Sequence, residues 1–345
     1  MALTTVSSDR LSTNVKNTNF TAAEKQDLTN DILPLASQFG KSKNLIINGA
    51  MQVAQRGTTS TASTYGTVDR FRIVNSGTDE AAFTQKQVTD SPDGFGNSYE
   101  IDITTAESAL AADEYFLIRT ILEANTLQSL AFGTSSAKQI TLSFYVKAYQ
   151  TGTYAANIYS DDSARAYTVN YTINQSATWE RKSITFSGDT VGAITNNNGV
   201  GFFINWFLAA GRNYTSSTAF KNQWASFANA GWAHGQAVNV LSSTDNYWKI
   251  TGVQLELDSV ATEFEHRSFG DELARCQRYF CKMKAYAGAS NGWIIQYPVT
   301  MRSAPSATVN SGTIGSVNQI TTSTSNWNLS GGSANMAECF YSAEL

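Results

Sequence analysis

The hydrophobic period of this chain changes character between Gly252 and Cys281, in GVQLELDSVATEFEHRSFGDELARCQRYFC. In the first half Val253, Leu255 and Leu257 alternate with Gln254, Glu256 and Asp258, the two-residue period of a strand with one buried face. In the second half Ser268 stands where a helix cap belongs and Asp271 and Glu272 fall in the first turn. Leu273, Cys276, Gln277 and Phe280 then recur at steps of three and four. No other stretch shows such a change. A β-rich body therefore closes here, and a short helix leads into a second unit.

The strands of that body can be read in order. LIINGAMQVAQRG, from Leu45, reads as a strand with a turn at Asn48-Gly49. A Thr/Ser loop follows, then a strand at Asp69–Ile73. Further strands fall at Ala81–Val88, Ser98–Ile103, Tyr115–Leu122, Gln139–Ala148, Tyr154–Tyr159, Ala166–Ile173, Trp179–Phe186, Val200–Phe207 and Trp248–Leu257, separated by turn clusters such as Pro92-Asp93-Gly94. Glu114–Leu130 could also form an amphipathic helix; its neighbours favour a strand for the first half. Roughly ten strands with no intervening helix and no fixed repeat predict a jelly-roll-type antiparallel β-sandwich over 44–267. Residues 268–345 read as the short helix plus a small C-terminal β domain, with strands at Gly292–Met301, Ala307–Val309, Ser316–Thr321 and Ala337–Ala343.

Residues 1–43 stand apart. Thr21 and Glu24 have capping-box spacing, and a short helix carrying Leu28, Ile32 and Leu35 on one side should follow. Such a helix is too short to be stable alone. With Phe20, these residues form a candidate docking face for another copy of the chain or for a partner protein; a frayed arm is the alternative.

Charged residues are only 15% of the chain, and the net charge of −4 comes with no basic run, so neither nucleic acid nor an anionic membrane is an expected partner. No leader with a basic head and an apolar stretch is visible, nor a run of about 20 apolar residues, so synthesis in a cytoplasm without membrane insertion is expected. Cys276, Cys281 and Cys339, odd in number and irregular in spacing, read as reduced thiols.

A Ser–His–Asp or Cys–His site needs a histidine. The two histidines are His234 and His266, and no Gly-x-Ser-x-Gly, phosphate loop or His-Glu-x-x-His occurs. Glu263/Glu265 and Glu256/Asp258 are spaced i, i+2, which on a strand puts Cα atoms about 6–7 Å apart on one face. That lies near the separations used by glycosidases, but any exposed strand face can carry two acids, and no enzyme is expected. No cofactor is implied. A structural calcium could use Asp69, Asp161 and Asp245, although no ligand spacing selects them.

Aromatic residues are the more informative inventory, with seven tryptophans and fifteen tyrosines. Trp206 and Trp248 fall on strands and read as core. The long segment Gly211–Leu241 breaks the strand rhythm and carries Tyr214, Trp224, Trp232 and His234, while Trp293 and Trp327 sit near Gly, Asn and Ser. An exposed indole or phenol offers a flat apolar face with a polar edge, which suits a sugar ring. These six residues are the candidate glycan contacts; a subunit interface is the competing reading.

NLIINGAMQVAQRG (44–57), Asp69-Arg70-Phe71, GVQLELDSVATEFEHRSFGDELARCQRYF and the closing FYSAEL resemble the tail fibre and related host-attachment proteins of tailed bacteriophages. The usual pattern has Pro where this chain has Glu263. The likeness spans 44–345 and is strongest at its two ends. It implies a virion component, a homotrimer whose residues 1–43 dock onto a phage tail, adaptor or nozzle protein while the sandwich and C-terminal domain face host-surface glycan. It leaves open a head or collar fibre with no receptor role, and a glycan depolymerase.

Overall fold

A computed structural model describes residues 43–78, 80–287, 293–311, 317–327 and 335–345; Phe20, Leu28, Ile32 and Leu35 lie outside them. Residues 44–345 form one compact unit. Its strands run β1 (Thr59–Ser60), β2 (Phe71–Ser76), β3 (Ala82–Val88), β4 (Ser98–Thr105), β5 (Tyr115–Glu123), β6 (Ile140–Ala148), β7 (Gly152–Ser160), β8 (Arg165–Ile173), β9 (Glu180–Phe186), β10 (Val200–Ala210), β11 (Ala225–Ser226) and β12 (Tyr247–Glu256).

These strands build two six-stranded sheets, ordered β1-β3-β4-β12-β6-β9 and β11-β8-β7-β10-β5-β2. The first is called the front sheet below and the second the back sheet. All their ladders are antiparallel, and the chain passes repeatedly from one sheet to the other. Both contribute to a single core, because each strand points alternate side chains inward. On β6, Ile140, Leu142, Phe144 and Val146 are fully buried; on β10 the buried set is Phe202, Ile204, Trp206 and Leu208. Trp206 and Trp248 are both core residues, as their strand positions suggested.

The segment 44–57, read as a strand, is not one. Asn48 and Met51 adopt left-handed backbone (φ 61° and 57°), and two asparagine side chains take up the backbone groups a ladder would have used. Asn44 accepts from the N–H of Ile46 and of Leu255 and donates to the Val253 carbonyl. Asn48 donates to the carbonyls of Val53 and Asp69 and accepts from the Val53 N–H. Glu114–Leu130 is strand as far as Glu123 and then a tight 3-10 turn, Ala124–Leu130.

Beyond the sandwich, α1 (Phe269–Gln277) is capped by Ser268, whose hydroxyl accepts from the Asp271 N–H. It ends sooner than the apolar period suggested. Tyr279 N–H donates to the Cys276 carbonyl, and Phe280 begins β13 (Phe280–Ala287). That strand joins β18 (Asn335–Ser342) and β15 (Ser306–Ser311) in one sheet; β14 (Trp293–Gln296), β17 (Thr324–Trp327) and β16 (Val317–Ile320) form another. Cys276, Cys281 and Cys339 are buried free thiols. Among the described residues no helix is long and apolar enough to cross a membrane.

A buried polar clasp ties this C-terminal part to the sandwich. Arg70, 1% exposed and itself left-handed (φ 70°), pairs with Glu344, donates to the Ile121 carbonyl and lies 3.4 Å from the Tyr279 ring centroid. Arg56 reaches the same carboxylate at 3.1 Å and sits 3.5 Å from the centroid of Phe280. Glu123 accepts two bonds of 2.8 Å from Arg278 and one from the Tyr279 hydroxyl. Arg267 donates to the carbonyls of Asn44 and Ile46, and Glu272 accepts from the Asn48 N–H. Burial alone would lower the Arg70 pKa, but the Glu344 carboxylate, together with Tyr65, Tyr279 and Cys276, more than reverses it. Glu344→Ala should therefore cost about 3–5 kcal/mol in urea unfolding, the usual penalty for stranding one buried charge. A loss below about 1 kcal/mol would mean the pair behaves like an exposed one.

Candidate functional site

The front sheet's outward positions carry partly exposed aromatic and polar groups. On β6 the outward positions are Thr141, Ser143, Tyr145 and Lys147, of which Tyr145 and Lys147 are partly exposed and Thr141 and Ser143 are buried; they are the polar half of the alternation whose apolar half fills the core. Tyr145 is flanked across the sheet by Thr251 of β12 and Arg181 of β9. Between Thr251 and Gln254 the β12 register shifts, and Gly252 takes φ 62°. A Cβ at Gly252 would lie 2.7 Å from the Phe95 ring and 2.9 Å from that of Tyr145, so glycine is required both by the backbone and by the two rings closing over it.

The rings form one cluster. Phe95, from the turn after Pro92, lies 5.4 Å from Tyr145, 5.0 Å from Phe264 and 5.2 Å from His266, and Phe264 lies 4.9 Å from His266. They line a recess of about 250 Å³ with Asp93, Ser143, Arg181 and Glu263 at its edges. Arg181 is held by donating to the Thr262 carbonyl at 2.5 Å. His266 also borders a wider cleft of about 610 Å³, lined by Arg267, Ser268, Asp271, Arg275 and Thr300. Flat apolar faces with a few fixed donors and acceptors in a concave setting suit a small polar molecule with apolar patches.

Further along the same face runs an ionic network. Asp90 accepts from Lys249 at 2.7 Å, from Lys147 at 3.0 Å and from the Trp179 indole at 3.1 Å. Lys249 also pairs with Glu100, and Lys86 with Glu100 and Asp102. Burial opposes ionisation of Asp90, but the bonds from Lys249, Lys147 and Trp179 outweigh it and hold the carboxyl at about 2.

The aromatic segment 211–241 buries Phe220 and Trp232 and leaves Tyr214, Trp224, Phe227 and His234 half-buried. It folds over the outer face of the back sheet. Trp232 is 9% exposed, packs 5.2 Å from Phe207 and 5.1 Å from Tyr115, and donates to Asn157. Tyr214 lies edge-on to Tyr115 and Trp232. Trp224 fills the space between Phe132, Tyr167 and Phe202 and donates to the Ser187 carbonyl at 2.7 Å. His234 is half-buried; its carbonyl accepts from Asn170, and its Nδ1 is buried without a partner. The physical reason is area: β5, β7, β8 and β10 leave Leu117, Ala155, Ala166 and Phe207 on that face, and the loop's rings cover them. Trp293 and Trp327 are cross-strand partners in the β14–β17 ladder, far in sequence but opposite in register.

The carboxylate pairs do not come together as acid–base couples. Glu256 is 3% exposed and accepts from Gln254 and Thr262, whereas Asp258 is exposed. Glu265 accepts from the Asn44 N–H, while Glu263 stands at the recess edge. Asp69 is buried against Gln55 and Arg56; Asp161 and Asp245 are exposed on separate turns. Among the described residues no group of three His, Cys, Asp or Glu is placed to hold a metal ion, so those three aspartates do not form one.

Three of the recess residues carry a sequence signal. Tyr145 occupies the polar side of an alternating strand, and Phe264 and His266 share the i, i+2 spacing of Glu263–Arg267. Phe95 has none.

No family model and no curated protein sequence matches the chain. Among solved structures it is similar to the enzymatically active domain of tailspike protein 4 of bacteriophage CBA120, at 13% identity and a TM-score of 0.34 over 62% of this chain and 21% of that one. It is also similar to the family 11 carbohydrate-binding module from Clostridium thermocellum in complex with a β-1,3-1,4-mixed-linked tetrasaccharide, at 14% identity and a TM-score of 0.30 over 61% of this chain and 98% of that one. The chain thus spans about a fifth of the tailspike structure. At these scores the likeness extends to neither ligand nor activity.

Two measurements check this geometry. Gly252→Ala should cost about 1–2 kcal/mol, the penalty for a left-handed alanine, and shift the aromatic proton resonances of Phe95 and Tyr145; unchanged ring shifts would refute the close approach. Carboxyl NMR should place the Asp90 midpoint near 2 rather than at the ordinary 3.8. Because the folded pKa is depressed, Asp90 stabilises the fold above the unfolded value and loses that contribution as pH falls through the folded one. Asp90→Asn should therefore flatten the acid limb of the stability curve.

Proposed function

We propose that this chain is a host-attachment component of a tailed phage particle, a short tail fibre that holds host-surface glycan without cleaving it. The observation that carries the reading is the Phe95–Tyr145–Phe264–His266 recess on the open face of the front sheet. Its rings match the C–H faces of a sugar, and Asp93, Ser143, Arg181 and Glu263 supply donors and acceptors for hydroxyl groups. The phage-like motifs support the same reading from another side. Asn44, Asn48, Arg56, Asp69, Arg70, Arg267, Glu272 and Glu344 all fall within the clasp or the hydrogen bonds beside it. Those motifs therefore serve to hold a sandwich and a distal β unit in fixed order, as a projecting fibre needs.

In this reading residues 1–43 dock on the particle and three copies assemble. Multivalency then raises the avidity of a weak sugar site by about 10²–10⁴. The test is binding of the full chain to host cells. Tyr145→Ala and Phe264→Ala should each weaken it at least about tenfold, the effect of losing roughly 1.4 kcal/mol of stacking per site. Wild-type chain that does not bind cells, or variants that bind equally well, would remove the receptor role and leave a purely structural appendage.

A further inference from the structure

A polar row crosses the outer face of the back sheet, at right angles to its strands. Arg72 of β2 stands opposite Arg119 of β5, which stands opposite Asn205 of β10, then Asn157 of β7, then Thr168 of β8. Most of the row is closed by hydrogen bonds. Arg119 Nε donates to Asn205 Oδ1 at 2.7 Å, Asn205 Nδ2 to Asn157 Oδ1 at 3.1 Å, and Asn157 Nδ2 to Thr168 Oγ1 at 2.8 Å. The 211–241 cover seals that end: Trp232 donates to Asn157, and the Thr168 hydroxyl donates to the Trp232 carbonyl.

The arginine end is different. Two guanidinium-bearing residues face each other across a strand pair, an arrangement that is destabilising by itself. Among the described residues neither forms an ion pair with a carboxylate, and Arg72 Nε is buried without a hydrogen-bond partner. The Tyr65 hydroxyl, whose ring centre lies 5.2 Å from the Arg72 guanidinium, is also buried and unpartnered. The Phe203 ring lies 4.5 Å from the Arg119 guanidinium and stacks on Tyr159 at 5.8 Å. Burial, and then the charge of Arg72, lower the Arg119 guanidinium to about 10. Both arginines keep partial exposure as residues, while Arg72 Nε and the Tyr65 hydroxyl are themselves buried. Each arginine carries five N–H donors in a planar fork, and among the described residues the pair makes one such bond, Arg119 to Asn205. The unmet need is for an acceptor-rich negative group, which a fork binds at two points.

We propose that Arg72, Arg119 and the Tyr65 hydroxyl form a site for an oxyanion carried on a saccharide, a carboxylate or phosphate substituent, whose ring rests on Phe203 and Tyr159. The site lies on the sheet opposite the Tyr145 recess and is separate from it. The anion half stands on the arginine pair; the saccharide half rests on the glycan-binding reading above.

Calorimetry with the full chain tests it, using glucuronic acid and glucose 6-phosphate as charged probes and glucose as the neutral one. At least one charged probe should bind about tenfold or more tightly than glucose, and its affinity should fall as salt rises. Whichever binds identifies the substituent. Arg72→Gln should abolish that preference while leaving the unliganded fold at least as stable, since it removes a like-charge contact. Arg119→Lys, which keeps the charge and loses the fork, should weaken the charged probe as well. Charged probes that bind no better than glucose, or equal binding by wild type and Arg72→Gln, would overturn the site. Tyr145→Ala should leave the preference for the charged probe over glucose unchanged, so failure of the front-sheet recess and failure of this site are read separately.

Discussion

Arg70 holds a full positive charge where water does not reach, and Glu344, 274 residues further along, neutralises it. Neither charge is tolerable alone in that interior, so the end of the chain must return to the start of the sandwich. The surrounding groups follow from this pairing. Arg56 shares the Glu344 carboxylate, Tyr279 and Phe280 lay their rings against the two guanidinium groups, and Glu123 gathers Arg278 and the Tyr279 hydroxyl. A hydrophobic contact could slide by a residue; a forked ion pair with fixed hydrogen bonds sets one position. The C-terminal sheets are thereby fixed with respect to the sandwich.

The sandwich has two outer faces, and the chain treats them oppositely. Strands of the back sheet carry Leu117, Ala155 and Phe207 outward, and leaving these wet would forfeit the burial that stabilises the fold. The 211–241 segment covers them. The front sheet carries Lys, Asp, Glu, Thr and Tyr outward, neutralised among themselves around Asp90 and Lys249, and needs no cover. Its partly exposed rings line a recess, while Phe220 and Trp232 of the loop are buried as packing.

Much of the β architecture was legible from alternation alone. Ile140–Val146 could be divided into inner and outer residues by parity, and the Ser268 cap and acidic first turn marked α1. The segment 44–57 misled because Asn44 and Asn48 use side-chain amides where a strand would use its backbone, and sequence period carries no trace of that substitution. The loop aromatics are placed for a related reason. Tyr214, Trp224 and Trp232 have the composition of a binding loop, yet whether an indole is displayed or buried depends on the surface it meets, here formed by β5, β7, β8 and β10.

By itself, the sequence determined which residues alternate into strands, where the period switches to a helix, and which positions demand caps or turns, because those depend on neighbours a few residues apart. Only the tertiary structure decided which outer face is covered by the 211–241 segment, that Phe95 meets Tyr145 and Phe264, and that Arg72 and Arg119 stand opposite each other. Those are contacts between residues tens to hundreds of positions apart, selected by sheet order and strand register rather than by local propensity.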